Sequence, residues 1–377
     1  MSLTNVQDRN IIRIIFHIDF DYFYAQCEEL RDPSLKGKPV VVCVYSARGG
    51  DSGAVSTSNY KAREYGVKSG IPIKLAKNRL KDVPEAKFLP MDRDYYEEMS
   101  ERAMQIVRKY GDKFELVGID EGFIEVTEKL EHDFVGAEEL AMAVKQELKK
   151  ELGLTCSIGI APNKLVAKIA SDFQKPDGLT LVKPAGVKAF LTNLSVGKIL
   201  GVGKKTEESL NEMGAKTIDE LSNIDIYALT KQFGKKIGTY LYNAARGIDE
   251  EPVVESESVT QLSRITTLKK STIMIEEMVE DLESLCKDVH KSAVEQSFSF
   301  KSIGIMLILD DLSIKTKSRS LKSHTDNADE LFKVAKMLLE EALAETQILV
   351  RRLGVKVSEL VSSKGQDTLS RFMTGES

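Results

Sequence analysis

The 377-residue sequence is poor in cysteine and has no excess of positive charge. Its four cysteines are too far apart in the sequence for a zinc site or a disulfide framework, so we expect buried free thiols. The 53 Lys and Arg are outnumbered by 58 Asp and Glu, for a formal net charge of −5. A polyanion-binding protein with this balance must concentrate its cations locally.

Long apolar runs are also missing. No run approaches the ~20 residues that span a bilayer, and the first ten residues are polar, unlike a signal peptide. These absences predict an intracellular, cytoplasmic protein without a membrane partner. With 42% hydrophobic and 29% charged residues, the chain is long enough for two or three globular domains.

Two apolar segments end in acidic residues. Residues 11–18 precede Asp19-Phe20-Asp21, and residues 116–126 carry Asp120 and Glu121 between two short apolar runs. Both patterns predict strands whose ends present carboxylates. An ordinary solvated hairpin turn is the alternative for the Asp-Glu pair, since Asp is common in turns.

Carboxylates gathered at strand ends repel one another unless cations neutralise them. Mg²⁺ combines one or two protein carboxylates with water and substrate phosphates. Two such ions, roughly 3.5–4 Å apart, hold the attacking and leaving oxygens of an in-line phosphoryl transfer. We therefore predict metal-dependent phosphoryl or nucleotidyl transfer, with Asp19, Asp120 and Glu121 as ligands.

Aromatic and basic residues follow the first acidic segment. Tyr24 falls in the first turn of a predicted helix, where its ring could pack against a sugar and exclude a 2′-hydroxyl, or could simply belong to the core. Tyr60 and Arg63 would share a helix face that suits a polyphosphate, although a solvated face has the same pattern. Residues 46–58 are nearly all small, which predicts a flexible loop or close approach of a ligand.

Strands and helices alternate from residue 87 to 182, which predicts an α+β layer with helices on a largely antiparallel sheet. Gly201 and Gly203 then join two predicted short helices beside Lys204. Glycines allow close approach of a phosphate, and the amides of the following helix start can bind it. The pattern indicates a helix-hairpin-helix element for sequence-independent DNA contact.

The segment 247–258 is polar and acidic and is typical of a tether. A strand-helix-strand, strand-helix-strand unit is predicted beyond it. The period of two places Lys315, Lys317 and Arg319 on one face of its third strand, and Arg352 and Lys356 on one face of its last. A cationic sheet face predicts contact with phosphates, with a merely solvated face as the alternative.

The last residues are polar except for Leu369, Phe372 and Met373. Their spacing predicts one helical turn that docks in a partner's groove.

Together, these motifs closely resemble those of the Y-family translesion DNA polymerases, of the DNA polymerase IV type and its archaeal members. The resemblance covers residues 13 to about 360. The matching motifs are Asp19-Phe20-Asp21-Tyr22-Phe23-Tyr24, Ser58-Asn59-Tyr60-Lys61-Ala62-Arg63, Ile119-Asp120-Glu121, Ser157-Ile158-Gly159 with Asn163-Lys164, and Lys175-Pro176-Asp177-Gly178.

The resemblance implies an α+β multidomain fold with the right-hand architecture of a polymerase. We expect a palm at 11–22 and 90–181, fingers at 23–89, and a helical helix-hairpin-helix thumb at 182–248. A linker at 249–258, a βαββαβ little finger at 259–361 and a flexible tail at 362–377 would follow.

The resemblance also implies roles for single residues. Asp19, Asp120, Glu121 and the Phe20 carbonyl would hold two Mg²⁺ ions. Other positions match those that grip the incoming triphosphate, namely Thr57, Tyr60, Arg63 and Lys175, while Tyr24 matches the gate against ribonucleotides. Gly118 departs from the family, whose members often carry Ser there. In the tail, Gln366 with Leu369, Phe372 and Met373 resembles the motif that binds sliding clamps of the proliferating cell nuclear antigen type.

The implied activity is template-directed addition of deoxynucleotides to a primer, at low fidelity, for translesion synthesis in DNA repair. The small residues at 46–58 would cover the nascent base pair loosely. The expected domains leave no room for a proofreading exonuclease, and we expect a monomer. A palm-type nucleotide cyclase and a non-catalytic, clamp-recruited DNA-binding scaffold are the alternatives, which primer extension distinguishes.

Overall fold

A computed structural model describes residues 12–255 and 259–362. This part of the chain divides into two compact units. The first is formed by residues 12–42, 56–69 and 79–255, and the second by residues 43–55, 70–78 and 259–362. The clamp motif predicted at Gln366, Leu369, Phe372 and Met373 lies outside the described residues.

The regular elements up to residue 255 are, in chain order, β1 (Ile15–Phe20), α1 (Phe23–Arg31), β2 (Val40–Tyr45), β3 (Gly53–Ser58), α2 (Tyr60–Glu64), α3 (Ile73–Arg79), β4 (Lys87–Pro90), α4 (Arg93–Arg108), β5 (Lys113–Leu116), β6 (Glu121–Glu125), α5 (Ala137–Leu152), β7 (Cys156–Ala161), α6 (Lys164–Ser171), β8 (Leu179–Leu181), α7 (Val187–Thr192), α8 (Lys204–Glu212), α9 (Ile218–Ser222) and α10 (Ile226–Ala244). Those after residue 259 are β9 (Gln261–Thr272), α11 (Val279–Glu295), β10 (Phe298–Leu309), β11 (Ile314–Thr325), α12 (Ala328–Leu343) and β12 (Val350–Ser362).

The first unit is built on a five-stranded sheet in the order β5-β6-β1-β7-β8. All neighbours are antiparallel except β7 and β8. The sheet is covered on both faces. One apolar cluster joins Phe16, Ile18 and Ile160 to helices α4 and α5, and a second joins Ile15 and Phe123 to helix α6. The predicted α+β layer is confirmed.

Helix α6 lies very close to strand β7 at Gly159. A Cβ atom at this position would lie 2.0 Å from the Ala167 carbonyl oxygen and 2.3 Å from the Ser171 nitrogen. Such contacts are impossible, so only glycine permits this packing. The close approach places α6 directly against the central strands of the sheet.

A smaller sheet, in the order β3-β2-β4, occurs within residues 40–90. Strand β3 lies in the small-residue stretch for which a flexible loop or close approach of a ligand was predicted. The strand was not predicted, because period-two patterning is weak where side chains are small. Asn59 then begins helix α2, since its Oδ1 accepts hydrogen bonds from the nitrogens of Ala62 and Val40, both at 3.0 Å. This cap fixes the start of the helix that carries Tyr60 and Arg63.

Residues 182–248 are helical and share the apolar cluster of α6, with Leu191, Leu210 and Leu241 buried. Helix α10 is interrupted at Gly234, where φ is 80°. The following segment was predicted to be a tether, but residues 249–255 belong to the first unit and pack within it. Arg13 donates hydrogen bonds to the carbonyls of Asp249 and Glu251, and Val253 is buried.

The second unit contains a four-stranded antiparallel sheet in the order β11-β10-β12-β9. Helices α11 and α12 pack on it around Phe300, Ile305 and Leu353. The element order confirms the predicted βαββαβ unit. All four cysteines of the chain are buried and are not joined in disulfides, as expected. Within the described ranges, every helix is too short or too polar to cross a membrane.

Candidate active site

Strand pairing brings the predicted acids together. In the register of β1 and β6, Asp19 lies directly opposite Glu121. The Phe20 nitrogen donates a 2.8 Å hydrogen bond to the Asp120 carbonyl, so Asp120 is fixed at the end of β1. Residues about one hundred positions apart are therefore brought together where β1 ends and β6 begins, and three carboxylates meet there.

Ligand atoms of His17, Asp19 and Glu121 lie within 4.8 Å of one another. His17 was missed by sequence analysis, although it lies two residues before Asp19 and hence on the same strand face. Asp120 is not in this trio, but its negative charge adds to the effect of burial in raising the pKa of Asp19. Burial first, and then the charge of Glu121, raise the pKa of Asp120 itself.

Two lysines neutralise the carboxylates. Lys175 Nζ lies 2.6 Å from Asp19 Oδ1 and 3.0 Å from Asp172 Oδ1. Lys168, on helix α6, forms an ion pair with Glu121. Lys168 was not predicted, and 47 residues separate it from its partner, so no local pattern marks it.

The two paired acids differ in proton affinity. Burial raises the pKa of Asp19 to about 6, and the nearby Lys175 only partly opposes this effect. The His17 ring and the Lys168 ammonium instead hold the pKa of Glu121 at about 2, against the effect of burial. A buried acid with a raised pKa beside further acids is typical of a site that becomes fully ionised when a cation binds.

The donor set fits a divalent metal. Asp19, Asp120 and Glu121 provide hard carboxylate oxygens, and the lysine pairs show that this cluster requires positive charge. His17 Nε2 lies 3.3 Å from Glu121 Oε2, and His17 Nδ1 lies 2.7 Å from the Ser171 hydroxyl. The buried imidazole is therefore held beside Glu121 from the side of helix α6.

Tyr24 extends from the first turn of α1 and stacks on Tyr96, with ring centroids 4.5 Å apart and an interplanar angle of 15°. It is half-buried and lines a cavity of about 700 Å³ that also touches Gly118 and Ile119, immediately before the acidic pair. Its pKa is raised, first by burial and then by the charge of Asp120. The ring is thus rigidly supported close to the acids.

The other predicted nucleotide-binding residues occupy β3 and α2. Thr57 lies in β3, and the Arg63 guanidinium lies over the Tyr60 ring at 4.7 Å. The Tyr60 hydroxyl is buried and, among the described residues, has no hydrogen-bond partner. Burial raises the pKa of Tyr60, and the charges of Asp19 and Lys175 also influence it. Lys175 is thus in direct contact with Asp19, and the charges of both residues act on the Tyr60 hydroxyl.

The predicted helix-hairpin-helix turn has the expected backbone. Gly201 has φ of 81°, and Gly203 caps α8 without a side-chain hydrogen bond. Lys204 is the first residue of α8. The amides at this helix start are not capped by the side chain of Gly203, which suits contact with a phosphate.

The cations of the second unit do not share one face. Lys315, Lys317 and Arg319 lie opposite the buried residues Leu307, Ile305 and Ile303, on the side covered by the helices. Lys317 and Arg319 form ion pairs with Glu345 and Glu341 at the end of α12. Arg352 and Lys356 lie opposite Ile308 and Gly304, on the other face. The period of two correctly predicts that the cations within each strand share a face. It does not predict which face of the sheet the helices cover.

Comparison with known proteins gives consistent matches. The impB/mucB/samB family matches residues 18–172, and its C-terminal domain matches residues 259–370. The thumb domain described for DNA polymerase-iota matches residues 198–249. DNA polymerase IV of Nitrosopumilus maritimus is 53% identical over 360 residues, which are 96% of this chain and 99% of that protein. DNA polymerase IV of Methanosarcina acetivorans is 43% identical over 363 residues, with 95% and 98% covered.

Solved structures agree with these relatives. A Y-family DNA polymerase chimera of Dbh and Dpo4 has a TM-score of 0.87 and 36% identity, covering 93% of this chain and 99% of that one. An insertion ternary complex of Dbh DNA polymerase has a TM-score of 0.68 and 37% identity, with the same coverage. The right-hand polymerase fold is thereby confirmed. The chain belongs to the Y family of translesion DNA polymerases and is of the DNA polymerase IV type.

Proposed function

We propose that Asp19, Asp120 and Glu121, with the Phe20 carbonyl, bind two Mg²⁺ ions for nucleotidyl transfer. Family membership establishes low-fidelity translesion DNA synthesis and dependence on a divalent metal. The observation that supports our ligand assignment is the pairing of Asp19 opposite Glu121, with Asp120 hydrogen-bonded through its carbonyl to Phe20. The bound cations would neutralise the triphosphate and assist attack by the primer 3′-hydroxyl.

The substrates are primer-template DNA and deoxynucleoside triphosphates. We assign Lys175, Tyr60 and Arg63, together with Thr57, to the triphosphate. Lys175 is paired with Asp19 in the structure. The charges of these two residues also act on the pKa of Tyr60, which is raised mainly by burial. A bound triphosphate would replace the carboxylates of Asp19 and Asp172 as the negatively charged partner of Lys175. The Arg63 guanidinium can bind a phosphate with two parallel hydrogen bonds.

We assign Tyr24 to sugar selection. Its stacking on Tyr96 leaves the ring little freedom to move aside for a 2′-hydroxyl. A rigid ring discriminates by steric exclusion more sharply than a mobile one.

We assign DNA contact to both described parts of the chain. The turn at Gly201, Gly203 and Lys204 would bind backbone phosphates through helix amides. Arg352 and Lys356 would bind phosphates from the face opposite the helices. Lys315, Lys317 and Arg319 would first have to leave their acceptors on Glu341 and Glu345, so we expect them to contribute less.

The domain assignment follows the family architecture. We propose a palm at 11–22 and 90–181, fingers at 23–89, a thumb at 182–248 and a little finger at 259–361, joined by residues 249–258. We also propose that the protein acts as a cytoplasmic monomer, and that Gln366, Leu369, Phe372 and Met373 dock on a sliding clamp.

Single-nucleotide primer extension with Asp19→Asn tests the metal assignment. The substitution keeps the shape of the side chain but removes a metal-binding charge, so we expect at least about a 10³-fold loss of rate. Asp94→Asn is the matched control, because Asp94 is an exposed acid of the same unit. DNA affinity, measured by fluorescence anisotropy, should be unchanged in both variants. An Asp19→Asn enzyme that extends primers at the wild-type rate would overturn the assignment.

A further inference from the structure

Lys145 is a buried cation on the apolar face of helix α5. Its neighbours on that face are Ala141, Val144 and Leu148, and only 9% of its side chain is exposed. Burying an ammonium group is costly unless hydrogen bonds replace its hydration. An apolar side chain would suit the position on packing grounds alone, so the lysine requires a separate explanation.

The Lys145 ammonium group has three N–H donors, and three oxygen atoms of other residues lie within hydrogen-bonding distance of it. Nζ lies 2.7 Å from the Cys156 carbonyl, 3.1 Å from the Gly178 carbonyl and 2.7 Å from Asp177 Oδ1. Two of the three partners belong to the turn at Asp177 and Gly178. This turn follows Lys175, which forms the ion pair with Asp19.

The same turn is held from a second direction by Asp21. The Asp177 nitrogen donates a 2.8 Å hydrogen bond to Asp21 Oδ2, and the Gly178 nitrogen donates a 3.2 Å hydrogen bond to Ser157 Oγ. Ser157 in turn donates to Asp21 Oδ1 at 2.8 Å. Asp21 is fully buried, so the second acid of the Asp19-Phe20-Asp21 motif supports this turn.

The turn is too tight to keep its shape without such support. Asp177 has φ of 52°, and a Cβ atom on Gly178 would lie 2.1 Å from the Gln174 carbonyl oxygen. A non-glycine residue at this φ is uncommon and persists where surrounding contacts hold it. Here the contacts come from the side chains of Lys145 and Asp21, and at Gly178 also from Ser157 Oγ and the Ile158 nitrogen, which donates a 3.1 Å hydrogen bond to the Gly178 carbonyl.

We propose that Lys145 is a positioning residue that fixes the turn after Lys175 and so aims the Lys175 ammonium at the incoming triphosphate. This inference rests on the proposed role of Lys175. Lys145 touches no substrate in this scheme. It acts by restricting the orientations of a neighbouring segment, so that less ordering remains to be done when the nucleotide binds.

Steady-state incorporation kinetics with Lys145→Met test this proposal. We expect the KM for the correct deoxynucleotide to rise about 10-fold, as is usual when a residue that holds a functional group is removed. The kcat should fall less than the KM rises, and DNA affinity should stay unchanged. Lys145→Arg, which retains the charge and several donors, should recover most of the loss.

Asp177→Ala provides a variant that should fold even if Lys145→Met does not, because the Asp177 side chain is 47% exposed. It removes one of the three acceptors and should raise the same KM by about 3-fold, near the value of one modest hydrogen bond. Asp177→Asn, which keeps an acceptor at Oδ1, should behave like the wild type.

Lys164→Met is the matched control for loss of a part-buried lysine. Lys164 is 14% exposed and bonds both carboxylate oxygens of Glu115, at 2.7 and 2.8 Å, away from the turn. It should lower the melting temperature without changing the nucleotide KM. A purely structural role for Lys145 predicts that Lys145→Met and Lys164→Met behave alike, and that result would overturn the proposal.

Lys175→Ala separates failure of this inference from failure of the proposed function. If Lys175→Ala raises the KM while Lys145→Met and Asp177→Ala do not, the positioning role is wrong and the function of Lys175 stands. If Lys175→Ala leaves the KM unchanged, both are wrong. In support of the proposal, the double variant Lys145→Met/Lys175→Ala should be no worse than Lys175→Ala alone, because both act through one group.

Discussion

Replacing Gly159 by alanine should detach helix α6 from the sheet that carries the acids. The added Cβ would lie 2.0 Å from the Ala167 carbonyl oxygen and 2.3 Å from the Ser171 nitrogen. Both contacts are to backbone, so a side-chain rotation cannot relieve them, and the helix must move by more than about 1 Å. Overpacking of this kind costs about 3 kcal/mol, the upper part of its usual range. The melting temperature of the first unit should fall by about 6–12 °C.

The same displacement should impair catalysis. Helix α6 carries Lys168, which pairs with Glu121, and it is followed by Asp172, which pairs with Lys175. A misplacement of about 1 Å near reacting groups can cost about 10²-fold in rate. We expect single-nucleotide extension by Gly159→Ala to be slowed by that order even at temperatures where the variant is folded.

Gly186→Ala is the control for the loss of a glycine. No atom lies within 4 Å of a Cβ placed on Gly186, and its φ of −90° suits any residue. Its melting temperature should match or slightly exceed that of the wild type. Differential scanning fluorimetry with primer extension would compare the two variants. If Gly159→Ala had the same melting temperature as Gly186→Ala and kept full activity, the packing of α6 on β7 would be refuted.

Three further substitutions or deletions test separate parts of the site. Asp120→Ala should abolish nucleotide addition in primer extension and leave DNA affinity intact, and extension near the wild-type rate would contradict a metal role. Tyr24→Ala should admit ribonucleotides in competition assays with deoxynucleotides, and unchanged sugar discrimination would exclude it as the gate. Removal of residues 366–377 should weaken clamp-stimulated synthesis but not the basal rate, so an equal loss of both would count against a docking tail.

Much of the palm could be predicted from local pattern. Apolar runs that end in Asp19 and begin again after Glu121 indicate strands, and the structure has β1 and β6 at these places. The convergence of the acids follows once β1 and β6 pair in antiparallel register. Strand period and helix caps are local properties, and a single sequence carries them directly.

The supporting contacts could not be predicted in the same way. Lys168 pairs with Glu121, 47 residues away along the chain, and Lys145 bonds the Gly178 carbonyl, 33 residues away. Both contacts arise because α6 and α5 pack on the sheet. The side of the second sheet that α12 covers is likewise a tertiary outcome. The strand period therefore placed Lys315, Lys317 and Arg319 on one face, but it could not show that Glu345 and Glu341 pair with Lys317 and Arg319 there. Lysines on amphipathic helices normally point to water, and only the assembled fold shows which of them do not.

Diffraction from crystals of the enzyme with primer-template DNA, a deoxynucleotide and Mn²⁺ in place of Mg²⁺ tests the central claim most directly. Anomalous scattering locates Mn²⁺ without reference to the protein chain. We predict two anomalous peaks bounded by the carboxylates of Asp19, Asp120 and Glu121, with Lys175 turned from Asp19 to the triphosphate. Ions bound elsewhere, with these three acids still paired only to lysines beside an ordered nucleotide, would contradict the account.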